Sequence, residues 1–199
     1  MSAAFHMLAV PNSWCSQRVR SLIAGAACSG LFIGTVCGWS AISNVLLMDG
    51  VFAESDAPSQ SLLVIYSASV SAMSLSGTPA GLLCDRAPLL CGVAVAGACV
   101  VLGSLLIGLL PSSAGFGFLP PFVLLAVGGN TCFFAATKLC FLFPPDRRPV
   151  ILATICALYD ASSAVSLLFF MAYRAGFSRA VVFSAYAVSY THLTLPTKA

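Results

Sequence analysis

A single carboxylate, Asp160, sits near the middle of an apolar run of membrane length. It lies about ten residues after Val150 and about twelve before Ala172. A charge at a helix centre costs about 2.5–3.5 kcal/mol on the insertion scale. The same run carries roughly ten strongly apolar side chains worth about −0.3 to −0.6 kcal/mol each, so it still inserts. A helix that only had to span would have no use for Asp160, which makes it a functional-site candidate. Ser162 and Ser163 follow it closely, and Asn130 lies at mid-depth of the preceding run. A structural hydrogen bond to a neighbouring helix remains open for Asp160, and such bonds average about 0.6 kcal/mol in membranes. So does a carboxyl kept protonated by desolvation.

The elements that must position these residues follow from composition. The 199 residues are 59% hydrophobic and 8% charged, whereas soluble domains are about a quarter charged. That deficit excludes an ordinary soluble fold and predicts an all-α, multi-pass membrane bundle. With a net charge of +3 and no basic run, no nucleic-acid partner is expected. The nine cysteines lie mostly inside apolar runs, with no CxxC and no Cys/His cluster. Neither a metal site nor a cofactor is therefore expected.

Residues 1–20 form a mixed amino-terminal segment ending in Arg18 and Arg20. Transmembrane helices 1–6 are expected over 21–188, the sixth incomplete. The run from Ser21 to Met48 is too long for a secretory signal, and Gly30, Gly34 and Gly38 give it a smooth face for another helix. An acidic loop from Asp49 to Gln60 follows. The second span, about Ser61 to Leu83, carries Gly77 and Gly81 near its end. Asp85-Arg86-Ala87-Pro88 is a tight polar turn. The third span covers about Leu89 to Leu110. Pro111 to Pro121 reads as a turn-rich loop, and the fourth span runs from about Phe122 to Phe143. There Gly128-Gly129-Asn130 either interrupts the helix or packs closely, and Lys138 can snorkel to the interface. Pro144 to Pro149 leads into the span of Asp160. A sixth apolar start, Ala180 to Val188, is about nine residues long, where about twenty are needed to cross.

Arg18, Arg20, Arg86, Arg147 and Arg148 fall on one side, against Arg174 and Arg179 with the acidic loop on the other. The positive-inside rule then places the amino terminus in the cytoplasm. Residues 188–199 look like a translated sequencing-adapter remnant. The chain is therefore read as a truncated frame with a non-native tail, and no role is given to His192 or Lys198.

Three passages carry a resemblance. They are Gly38-Trp39 with Leu46-Leu47 and Gly50-Val51-Phe52; Gly77-Thr78-Pro79-Ala80-Gly81-Leu82-Leu83-Cys84-Asp85-Arg86; and Leu142-Phe143-Pro144 with Tyr159 through Val165. Over roughly residues 30–180 the chain resembles the amino-terminal half of major facilitator superfamily transporters. It is most similar to the sodium-independent large-neutral-amino-acid facilitators and the apicomplexan amino-acid transporters. The sequence departs from the superfamily pattern after Asp85-Arg86, where Ala87-Pro88 replaces a glycine and further basic residues.

The resemblance implies five full spans plus a truncated sixth, and an alternating-access carrier for amino acids or similar small solutes, not an enzyme. Asp160 would pair with a substrate ammonium or order Ser162, Ser163 and Asn130 around it. Gly81, Asp85 and Arg86 would form a cytoplasmic gate, with Asp85 at the start of the third helix, where a helix N-terminus favours an anion. The expected partners are the lipid bilayer, a small-molecule substrate, and the missing carboxy-terminal half or a partner subunit, because carriers bind substrate between repeats near the midplane. The expected location is the plasma membrane. The alternatives are a non-transporting membrane adaptor or a truncated product. Intramembrane aspartyl proteolysis needs two carboxylates sharing a proton, and no other span holds one. Serine chemistry lacks a base, since His6 and His192 lie outside the spans.

Overall fold

The computed structural model describes residues 12–194, with side chains over 18–193. The described residues are all-helical, with no strand. Nine α-helices are joined by short π and 3₁₀ turns: α1 Asn12–Cys28, α2 Trp39–Met48, α3 Pro58–Leu75, α4 Gly77–Arg86, α5 Leu89–Leu109, α6 Leu119–Thr137, α7 Arg148–Ala161, α8 Ala164–Arg174 and α9 Arg179–Thr194. They assemble into five rods long and apolar enough to cross a membrane: Arg18–Met48, Pro58–Arg86, Leu89–Leu109, Ser112–Leu142 and Pro145–Arg174. This is the architecture of an integral membrane protein.

Several expectations from the sequence change in detail. The first helix starts at Asn12, inside the segment read as an amino-terminal extension. Residues 1–11, including His6, lie outside the described residues. The turn-rich stretch after Pro111 is wound into 3₁₀ turns over Ser112–Phe118, interrupted at Gly115, and α6 begins at Leu119 with prolines in its first turn. There the missing proline N–H is no loss. The sixth helix continues past Val188 to Thr194, while 195–199, the remainder of the tail with Lys198, lie outside the described residues.

The fourth span is the central rod. Within its most apolar window 56% is buried inside the protein, against 22% for the second and fifth spans. It touches α5, α3 and the first span. Gly128 and Gly129 make this possible on two sides at once. A methyl at Gly128 would fall 2.8 Å from Cys99 Cβ of α5, and one at Gly129 would fall 2.5 Å from the Ile33 carbonyl oxygen of the first span. The glycine pair therefore serves close packing, and α6 runs through it without interruption. Close approach of this kind is what holds helices together where lipid is as apolar as the side chains. Ile42, Leu46, Leu62, Ile65, Ile107, Phe118, Phe122 and Phe183 fill the contacts around it, each 1% exposed or less.

Three of the rods are broken along their middle stretches, away from the Gly115 interruption near the start of the fourth, and each break has a local cause. The second breaks at Ser76, between α3 and α4. Pro79 lacks an N–H and its ring clashes with the carbonyl four residues earlier. The fifth breaks at Ser162-Ser163, between α7 and α8. Ser162 Oγ donates to the Tyr159 carbonyl at 2.6 Å and Ser163 Oγ to the Asp160 carbonyl at 2.8 Å, and such back-bonding competes with the helix ladder. The first rod passes through a π turn at Ser29–Ile33 and a 3₁₀ turn at Thr35–Gly38 between α1 and α2. It is rich in glycine, which holds a helix weakly.

Candidate functional site

The breaks of the first and fifth spans face each other. The Gly34 N–H, at the end of the π turn, donates to Ser162 Oγ at 2.6 Å. Ser166 Oγ donates to the Thr35 carbonyl at 2.6 Å. The Thr35 hydroxyl meets the Tyr186 hydroxyl of α9 at 2.5 Å, and Tyr186 also donates to the Leu31 carbonyl at 3.0 Å. Thr35, Ser162 and Ser166 are buried. Backbone polar groups inside a membrane protein must be paired internally, and side chains from two neighbouring helices do this here. The approach is close enough that a methyl at Gly34 would lie 2.5 Å from Ser162 Oγ and 2.6 Å from the Tyr159 carbonyl oxygen. At Gly38 a methyl would collide with the Ser163 carbonyl and Ser166. The glycine face of the first span is thus a seam against the fifth.

Asp160 is one turn from this seam but does not enter it. It is exposed, and its carboxylate forms no hydrogen bond or ion pair among the described residues. It lies fifteen residues from Pro145 and fourteen from Arg174, the ends of its span. Beside it, half-buried aromatic rings line the junction of four spans. Tyr159 packs on Phe133 with ring centres 5.5 Å apart, Trp39 stacks on Tyr66 at 5.2 Å, and the Tyr159 hydroxyl meets Cys37 Sγ at 3.6 Å. Exposed polar side chains continue from there along uncovered helix faces: Cys37, Ser40 and Asn44 on the first span, and Ser67, Ser71, Ser74 and Thr78 on the second.

The structure brings together Asp160, Ser162 and Ser163 but separates their roles. Ser162 is buried in the seam, and Asp160 is exposed. Asn130 belongs elsewhere: its amide donates to the Met73 carbonyl at 2.8 Å and to Ser76 Oγ at 2.9 Å. It thereby holds the break of the second span, and no hydrogen bond links it to Asp160 or to either serine among the described residues. Cys37, Tyr159, Thr35 and Ser166 were missed by sequence reasoning, because nothing in their spacing tells that two helices break opposite one another.

At the basic end, Asp85 is in the last turn of α4, not at the start of the third helix; α5 begins after Pro88. A carboxylate there faces the negative end of a helix dipole, and Lys138 Nζ at 3.2 Å offsets it. Arg86 is exposed. A methyl at Gly81 would stand 3.8 Å from the Phe134 ring, an ordinary contact.

At the opposite end a second polar cluster, also missed, ties five elements together. Arg179, 6% exposed, places Nη1 2.7 Å from Asp49 Oδ2, as an ion pair more than an aligned hydrogen bond. Its Nη2 donates to the Leu110 carbonyl, and its guanidinium lies 4.9 Å from the centre of the Phe118 ring. Tyr173 donates to Asp49 Oδ1 at 3.1 Å and Ser112 to Oδ2 at 3.0 Å. The available signal was two opposite charges at span ends on the same side of the bundle.

No group of three His, Cys, Asp or Glu side chains gathers among the described residues. Compared with protein-family profiles, curated proteins and solved structures, the chain matches none.

Proposed function

We propose that this chain is the amino-terminal half of an alternating-access carrier of the major-facilitator type. It would move amino acids or similar small solutes across the plasma membrane, with its amino terminus in the cytoplasm. The observation that carries this reading is Asp160, an exposed carboxylate at the midpoint of an apolar span with no hydrogen-bond or ion-pair partner among the described residues. Intramembrane charges face a bundle interior or a watery cavity, so the face of the fifth span bearing Asp160 is one that water and a second half would cover. The hydroxyl-rich faces of the first and second spans support the same assignment, since they also lack an internal cover. So do the breaks, because carriers place discontinuous helices at the midplane. In this reading Asp160 meets the substrate ammonium, Ser162 and Ser163 shape the helix break beside it, and Asp85, Arg86 and Gly81 belong to the cytoplasmic gate.

The test is uptake by the full reading frame, obtained by sequencing the transcript across the codons for Val188 to Ala199. Labelled amino acids should accumulate in cells expressing it. Asp160→Asn should cut uptake more than about tenfold at unchanged surface amount. Unimpaired uptake by that variant would remove Asp160 from the site. An absence of uptake for every amino acid with the intact frame would remove the amino-acid reading.

A further inference from the structure

We propose that a cavity at the acidic end of the bundle, remote from Asp160, binds a small organic ammonium ion. The cavity holds about 500 Å³ between the loop joining the first two spans and the 3₁₀ turns that precede α6. That is within the roughly 300–1,000 Å³ of small-molecule sites. Phe52, Glu54 and Ser61 line it from one side, Ser113 and Phe116 from the other.

The two walls are built, not incidental. Phe52 has φ 63, the one positive φ outside glycine among the described residues. A bulky residue in that conformation is a genuine outlier, and such strain persists only where the surroundings enforce it. Here the enforcing contact is with the opposite wall. The Phe52 ring meets the Phe116 ring edge to face at 5.0 Å and lies over Gly115, itself at φ 53. Next to Phe116, Ser112 is anchored to Asp49.

The chemistry of the lining selects a cation. Glu54 is the charged residue of the lining, and its carboxylate forms no hydrogen bond or ion pair among the described residues. Asp56 adds a second negative charge in the same loop, no basic residue lines the cavity among the described residues, and Arg179 at this end is paired with Asp49. An anion would meet only repulsion. A hard divalent ion wants six or more oxygens with several carboxylates, and this lining offers one carboxylate with two aromatic rings. Aromatic faces attract alkylammonium groups, Glu54 supplies the counter-charge, and the serine hydroxyls can accept N–H donors. The ammonium has two sources at a membrane surface, a free solute amine or the headgroup of a zwitterionic lipid.

The test titrates tetramethylammonium chloride into the purified chain in detergent by calorimetry, with sodium chloride as the matched control. Saturable binding should occur for tetramethylammonium alone. Glu54→Gln should weaken it about tenfold or more. Phe52→Gly removes the ring while suiting the positive φ, so it should weaken binding while the protein stays folded by circular dichroism. Heat identical to that from sodium chloride, or an unchanged Kd in Glu54→Gln, would overturn the proposal. Repeating the titration in nanodiscs distinguishes the sources. Binding in phosphatidylglycerol discs that is lost in phosphatidylcholine discs assigns the site to a headgroup, and equal binding in both assigns it to a free amine. The readout is equilibrium binding, so it is separate from the outcome of the uptake assay.

Discussion

Asp49 and Asp160 are two carboxylates of one membrane bundle placed under opposite rules. Asp49 stands at the end of the first span and is closed in by Arg179, Tyr173 and Ser112. Asp160 stands at the middle of the fifth span, where a charge costs most, and has no such partner among the described residues. The first is a charge whose surroundings neutralise it, joining the ends of α2, α5, α8 and α9 to the 3₁₀ turns of Ser112–Phe118. The second is a charge left available. In a membrane, a fully paired ion reads as architecture, and an unpaired one at mid-depth reads as a place where something else is to be met.

This contrast can be broken by experiment, beginning with the largest expected effect. Asp49→Ala would strand a buried guanidinium, and such losses cost about 3–5 kcal/mol. Unfolding in mixed micelles should show a drop near the lower end of that range, because Asp49 keeps some exposure. Replacing both charges, Asp49→Leu with Arg179→Leu, should cost less than Asp49→Ala alone, since apolar substitutes for a whole pair are often neutral. If the single change is harmless, the cluster is not what fixes that end of the bundle.

The seam between the first and fifth spans should come next. Gly34→Ala forces a methyl against Ser162 Oγ and the Tyr159 carbonyl, and overpacking of this kind costs about 1–3 kcal/mol. Full stability in that variant would mean the helices part freely there. Ser162→Ala keeps the space but removes the side-chain acceptor of the Gly34 N–H, for a loss of about 1 kcal/mol. Asp160→Asn should have the smallest effect on folding, within about 0.5 kcal/mol, alongside the largest effect on uptake. A stability loss comparable to that of Asp49→Ala would place Asp160 with the architecture and erase the distinction between the two regions.

The order of the spans was legible in the chain because hydropathy and length are properties of each segment alone. The expected third span, Leu89 to Leu110, and the observed Leu89–Leu109 differ by one residue. Asp85 was misplaced by about a turn: the resemblance put it at the start of the third helix, whereas α4 carries on through Arg86 and α5 begins only after Pro88. Asn130 was grouped with Asp160 by depth along the chain, and depth does not say which way a side chain faces. Its amide is spent on Met73 and Ser76.

The sequence by itself determined that this is a helical membrane protein of five full spans and that Asp160 lies at the middle of one of them. Composition and periodicity act locally and need no neighbours. Only the tertiary structure decided that the glycine face of the first span seats against the serine break of the fifth, that Asp49 is closed in by Arg179, and that Asp160 stays exposed. Those outcomes depend on which helix lies beside which, and an apolar span of near-uniform hydropathy carries no mark of its neighbour.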